Sequence, residues 1–403
     1  MSLNTSSNDL LRHDLFIHLK RNIGSLFTIL GIFLVLIPFA TAAVPGDSIF
    51  NAAIQQQFEL RLINEYLSVI VYFAAAGAGL VFGVLHFAFL RDISRAEFFF
   101  LIGIRRDKLY LSRLLAGVIE ILISLLVPML ISLGLNVAAY GSSPLLFRCF
   151  VSVTGGLLLQ AFLGFLLAVL ACELAGTFIE IIMYLLMLFG GFFGMVYGIN
   201  QILYHVVWDN HGISTLIMRA EAGSNLLAKL IYFNPLTFYL KQMVNASAVE
   251  QGASATLWPN LFIVWGVICL GLIFLARNTL KIRHIEQSGQ NGCRIQVTRI
   301  VIFLSMFILF AVIFVLLDQS NRIFALAVAL FADLILYIIW QQAFIHQHPG
   351  AWVLASRCLT MLVAVVVVFV LIFGAGTQTR KRLAEEGKTP VNQETLLEEY
   401  SSE

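Results

Sequence analysis

From residue 23 to residue 373 the chain repeatedly runs for stretches of about 20 residues with almost no charge, enough for a helix to cross the hydrocarbon core of a bilayer. Inside lipid every backbone N–H and C=O must be satisfied within the protein, so only helices and closed barrels span. The runs are long and do not alternate between apolar and polar residues, which selects helices over a barrel. Composition agrees: 60% of residues are hydrophobic, 12% are charged, and mean hydropathy is +0.90. A soluble globular chain has roughly 45–50% apolar and about 25% charged residues. The expected class is therefore an all-α, polytopic membrane protein. The net charge of +2 points to no partner.

In chain order, residues 1–22 read as a cytoplasmic amphipathic helix. Leu11, Leu15 and Leu19 share a face with Phe16 beside it, while Arg12, Asp14, Lys20 and Arg21 lie elsewhere. Asn8 or Asp9 is placed to cap its start. The next apolar run is long enough to span and its flank is mixed in charge, unlike a secretory leader. Six spans are expected within residues 23–276: 23–44, 65–90, 114–137, 147–172, 178–203 and 257–276. Span one carries Pro38, which a membrane helix tolerates. Span two holds a small-residue stretch, Ala74 to Gly79, suited to close helix contact. Residues 277–299 form a basic loop, three further spans follow within 300–373, and 374–403 is a charged tail without pattern.

Basic loops stay on the cytoplasmic side. Residues 91–113, with Arg91, Arg95, Arg105, Arg106, Lys108 and Arg113, are thus expected inside, as are 277–299 and the N-terminus. Residues 204–256 are expected outside. They include LIYFNPLTFYLKQMV, which suits a surface or re-entrant segment. Nine spans starting inside would leave the tail outside, whereas Arg380, Lys381 and Arg382 argue for inside.

Loop 91–113 has a further feature. Phe98, Phe99, Phe100, Leu101 and Ile102 form an unbroken bulky apolar block among the charges. Orientation alone does not need them. They suit a short helix lying on the membrane or seated in another protein.

Chemical motifs are few. The cysteines (Cys149, Cys172, Cys269, Cys293, Cys358) have no metal or redox spacing. Gly387-Lys388-Thr389 resembles the end of a phosphate-binding loop, but Arg382 stands where the first glycine belongs. His346 and His348 are two apart and do not share a helix face. His86, Glu120, Glu173, Glu180 and Asp333 fall within spans, where an ionisable group is costly and points to function. Glu120 and Asp333 are the strongest intramembrane candidates. His86, Glu173 and Glu180 lie near span ends and could reach headgroups, and Glu120 could pair with an arginine of the basic loop.

An amphipathic N-terminal helix, a six-span core, a basic loop after span two and a membrane-seeking loop after span five together resemble the ABC-2 type of ABC transporter permease. The phrase FFLIGIRRDKLYLSRLLAG, residues 99–117, is similar to the family's "HSLPISRxxLFxSKLLAG", departing at Ile102-Gly103 where Leu-Pro is frequent. Asn234-Pro235-Leu236 resembles an element before the last core span. Arg283 to Gly289 resembles a phrase of the larger subgroup with extra C-terminal spans, which includes permeases of antibiotic-responsive operons.

The resemblance implies a six-span exporter core plus about three C-terminal helices in the plasma membrane. It implies a second permease chain, identical or related, and a cytoplasmic ATPase subunit that carries the ATP and Mg. No cofactor and no ATPase site are expected in this chain, and no nucleic-acid partner. Arg95, Glu97, Phe98, Phe99, Phe100, Leu101, Arg105 and Arg106 would dock the ATPase, with lipid as the other contact of the basic residues. The substrate class would be amphipathic or hydrophobic: a peptide, antibiotic or lipid-like molecule. A non-transporting regulatory subunit of the same fold is the alternative, and an intramembrane enzyme built on Glu120, Glu173 or Asp333 is a third reading.

Overall fold

The structure is a computed structural model that describes residues 15–17, 19–42, 65–92, 106–140, 142, 144–191, 194–195, 197–199, 202–203, 206, 259–282, 295–317, 322–344 and 351–385. Among these the regular structure is helical throughout, with no strand. The main helices are α1 (Ile23–Ala42), α2 (Glu65–Phe87), α3 (Arg106–Tyr140), α4 (Pro144–Leu174) and α5 (Phe178–Leu186). They continue with α6 (Pro259–Ile282), α7 (Ile295–Leu317), α8 (Arg322–Phe344) and α9 (Ala351–Glu385). Seven are long and apolar enough to cross a membrane, and α1 makes eight if it is counted with the segment bent against it. That segment, Leu15–Arg21, meets α1 at 58°.

Several boundaries differ from those read off the sequence, for one reason. Helix α3 begins at Arg106, inside the stretch expected to be loop, and α6 runs on to Ile282 through Arg277 and Lys281. Helix α9 carries Arg380, Lys381 and Arg382 and ends at Glu385, so the first part of the expected tail is helical. Charge ends an apolar window without ending a helix. At 1.5 Å per residue, 35-residue helices such as α3 and α9 reach roughly 50 Å, well beyond a hydrocarbon core of about 30 Å. The fifth expected span departs in another way. Helix α5 gives way at Met187–Gly191 to a π-helical turn, and the described residues further on in this expected span, 194–195, 197–199 and 202–203, are helical. The expected re-entrant segment within 204–256 lies outside the described residues.

The chain divides into two compact units, residues 1–189 with 232–294, and residues 190–231 with 295–403. In the first, α2 lies against α4 through small residues. A Cβ at Gly79 would stand 1.9 Å from the Ala161 carbonyl oxygen, and one at Gly164 2.6 Å from that of Ala76. Only glycine permits this approach of backbones. Across the same seam the Tyr72 hydroxyl donates to Gln160 Oε1 at 2.9 Å, both side chains being buried.

The second unit is held differently. Helices α7, α8 and α9 bury an aromatic cluster in which Phe369 meets Phe310 at 5.1 Å and Phe314 at 4.8 Å, edge to face. Pairs in this geometry add about 0.5–1.5 kcal/mol beyond area burial. Trp340 Nε1 donates to Ser305 Oγ at 3.0 Å and ties α8 to α7.

Candidate functional site

The polar chemistry of the first unit gathers at the two stems of the basic loop, where α2 ends and α3 begins. Helix α2 passes into a tight turn at Ala88–Arg91, closed by the Asp92 amide donating to the Phe89 carbonyl at 3.2 Å. Phe87, Phe89 and Leu90 are buried, so this stem is seated by apolar contact. Arg91, the last residue of the turn, places its guanidinium 5.4 Å from the Phe178 ring centroid, at the start of α5.

The other stem is seated on α6. Asp107 accepts from Arg277 Nε at 2.8 Å and from Lys281 Nζ at 3.1 Å. Arg106 Nη1 donates to the Lys281 carbonyl at 2.8 Å, in the last turn of α6, where carbonyls lack intrahelical donors and a cation is favoured. One turn on, the Tyr110 hydroxyl donates to the Ile273 carbonyl at 3.2 Å, and its ring meets Phe87 at 5.8 Å. The ion pairs are exposed and contribute little stability, but they fix which helix the stem touches.

A buried clamp joins the stems. Arg113 Nη1 donates to the His86 carbonyl at 2.6 Å, at the C-terminal end of α2, and its guanidinium lies 3.8 Å from the Phe89 ring centroid. His86 Nε2 and Glu120 Oε2 are 3.0 Å apart, with both side chains wholly buried. Asn22, just before α1, brings Nδ2 within 3.5 Å of the imidazole nitrogens. Arg113 and Glu120 are seven residues apart, two helical turns, so one face of α3 grips the end of α2 twice. Gly117 lies between them. A Cβ there would come within 2.2 Å of the Phe165 ring of α4, whose edge also meets His86 at 6.4 Å.

The other carboxylates have separate partners. Glu173 accepts from the Thr279 hydroxyl, tying α4 to α6. Glu180 completes a capping box with Thr177 and accepts from the Gly176 amide at 2.7 Å, fixing the start of α5. Asp333 belongs to the second unit and is buried there.

Set against the sequence reading, His86, Glu173 and Glu180 are each buried within the protein and hydrogen-bonded there. Glu120 pairs with histidine, while the arginine nearest in sequence, Arg113, bonds the backbone of that histidine. Of the expected docking residues, Arg106 lies on the end of α6. Arg95, Glu97, Phe98, Phe99, Phe100, Leu101 and Arg105 lie outside the described residues. Asn22 and Gly117 were not among the candidates. The seven-residue spacing of Arg113 and Glu120 was the available signal for the clamp.

The described helices define an all-helical, multi-pass membrane protein. The chain matches no protein-family model, no curated protein and no solved structure.

Proposed function

We propose that this chain is the membrane subunit of an ABC-2-type transporter. In this reading it couples ATP hydrolysis by a separate cytoplasmic ATPase to export of an amphipathic or hydrophobic substrate. It works as a pair with a second permease chain, in the plasma membrane with its N-terminus inside. The six-span core would end with α6, and α7, α8 and α9 would be the additional spans; these three helices lie together in the second compact unit, which also takes residues 190–231.

One observation carries the reading. The stems of the basic loop rest on different helices, Arg91 on α5 and Arg106 with Asp107 on α6, and a buried clamp of Arg113, His86 and Glu120 locks them together. A loop that served only to hold orientation would need its positive charge and nothing more. A loop that receives force from a partner needs stems that do not yield, attached to the helices that must move. The apolar block from Phe98 to Ile102 would enter the ATPase.

The test is purification in mild detergent of the chain expressed with its chromosomal neighbours, with co-eluting proteins identified by mass spectrometry. A stoichiometric ATPase subunit is the expected result. A chain eluting alone or with partners that are not ATPases would overturn the proposal.

A further inference from the structure

Asp333 stands in the middle of α8 with its side chain wholly buried. Neither carboxylate oxygen has a hydrogen-bond partner among the described residues. Its helix-face neighbours at i−4 and i+4 are Ala329 and Tyr337, both in the buried cluster that also takes Phe307 and Phe310 from α7 and Val365 from α9. The titratable and charged side chains on the elements around it are Arg322 and Tyr337 on α8, Arg299 on α7, Arg357 and Cys358 with Arg380, Lys381, Arg382 and Glu385 on α9, and Tyr197 on the stretch 197–199.

An ionised carboxylate cannot be held in such a site without a cation or several donors, and the group takes up a proton instead. A neutral acid, in turn, leaves its own O–H unsatisfied, which a leucine of similar size would not do. The packed unit therefore holds Asp333 at a cost that packing alone does not explain, and an ionisable group at membrane depth is a functional position by default. We propose that Asp333 is a proton-binding site of the second unit: a neutral carboxylic acid while α7, α8 and α9 are packed, which gives its proton to water only when those helices part.

Carbodiimide chemistry reads this directly, because these reagents add to the protonated carboxyl. The full-length chain in phosphatidylcholine vesicles is treated with dicyclohexylcarbodiimide or with a water-soluble carbodiimide, and modified peptides are mapped by mass spectrometry. Exposed Glu385 serves as the internal control for the water-soluble reagent. Dicyclohexylcarbodiimide is expected to modify Asp333 near neutral pH, and the Asp333→Asn chain to lose that adduct. Labelling should fall roughly tenfold per pH unit above the group's own titration point. Three results would overturn the proposal: no adduct on Asp333 from the hydrophobic reagent at any pH, an adduct whose yield ignores pH, or equal labelling by the water-soluble reagent. All are read on the unsubstituted chain, so a variant that fails to fold does not blunt the test.

Discussion

The two units treat buried polarity in opposite ways. In the first, His86, Arg113, Glu120, Glu173 and Glu180 are buried and each is bonded to another element or to the start of its own helix. In the second, aromatic rings hold the helices, and one acid, Asp333, sits among them without a hydrogen bond from the described residues. Between helices in lipid there is little hydrophobic drive, so contact rests on close approach and on polar bonds. The first unit uses both, and its bonds converge on the stems of one loop. The contrast indicates where the chain resists deformation and where it is set to respond.

The most damaging change should be one that forces α2 and α4 apart. Gly79→Leu places a side chain where a single Cβ would already stand 1.9 Å from the Ala161 carbonyl oxygen. Backbone cannot step aside as a side-chain tip can. Overpacking costs typically about 1–3 kcal/mol and occasionally more, and this site belongs at the upper end. Yield and thermal midpoint in detergent should both collapse. Gly134→Leu, with open space around its Cβ position, should leave both unchanged. Equal effects would mean that small residues are not what seats these helices.

The clamp comes next. His86→Leu leaves Glu120 buried without its partner, and an unsatisfied buried polar group costs about 1–3 kcal/mol. The double change His86→Leu with Glu120→Leu should recover much of that loss, since no buried polar group is then left without its partner. A double-mutant cycle on thermal midpoints measures the difference. If the two single losses simply add, the contact between His86 and Glu120 contributes no coupling. Asp333→Leu supplies the contrast: stability should hold or rise, because the substitution removes an unsatisfied group from an apolar setting. A clear loss would reveal a partner outside the described residues and erase the distinction between the units.

How much of this was legible beforehand follows the same physics. The apolar runs gave the helices, since length and lack of charge are sufficient in lipid. The stretch from Ala74 to Gly79 announced a close contact, though not that Ala161 and Gly164 of α4 would meet it, because which helix answers is a tertiary fact. The start of α3 and the ends of α6 and α9 lie beyond the apolar windows, because charged residues continue a helix past the lipid. Arg106, Asp107, Arg277 and Lys281 are instead helical residues that answer one another across 170 positions of sequence or more. The clamp was half visible. Glu120 stood out as an acid in a span, but its partner lay 34 residues away in another helix, and sequence spacing favoured a nearby arginine.

The smallest effect on stability, and the one that most directly separates holding from transmitting, belongs to Asp107. Its bonds to Arg277 and Lys281 lie in water at the surface, where pairing adds little to folding, so Asp107→Asn should leave the thermal midpoint where it was. If the stem on α6 carries force from a docked ATPase, the same change should loosen that connection. ATP hydrolysis by the co-purified complex would then continue while its dependence on substrate weakens. Phe99→Asp and Arg95→Glu, which act at the proposed docking segment, should weaken the association itself. A complex in which Asp107→Asn changes neither stability nor coupling would leave α6 as a support for the loop and nothing more. Transmission would then have to run through Arg91 and α5, a route that Arg91→Ala interrupts without touching the clamp.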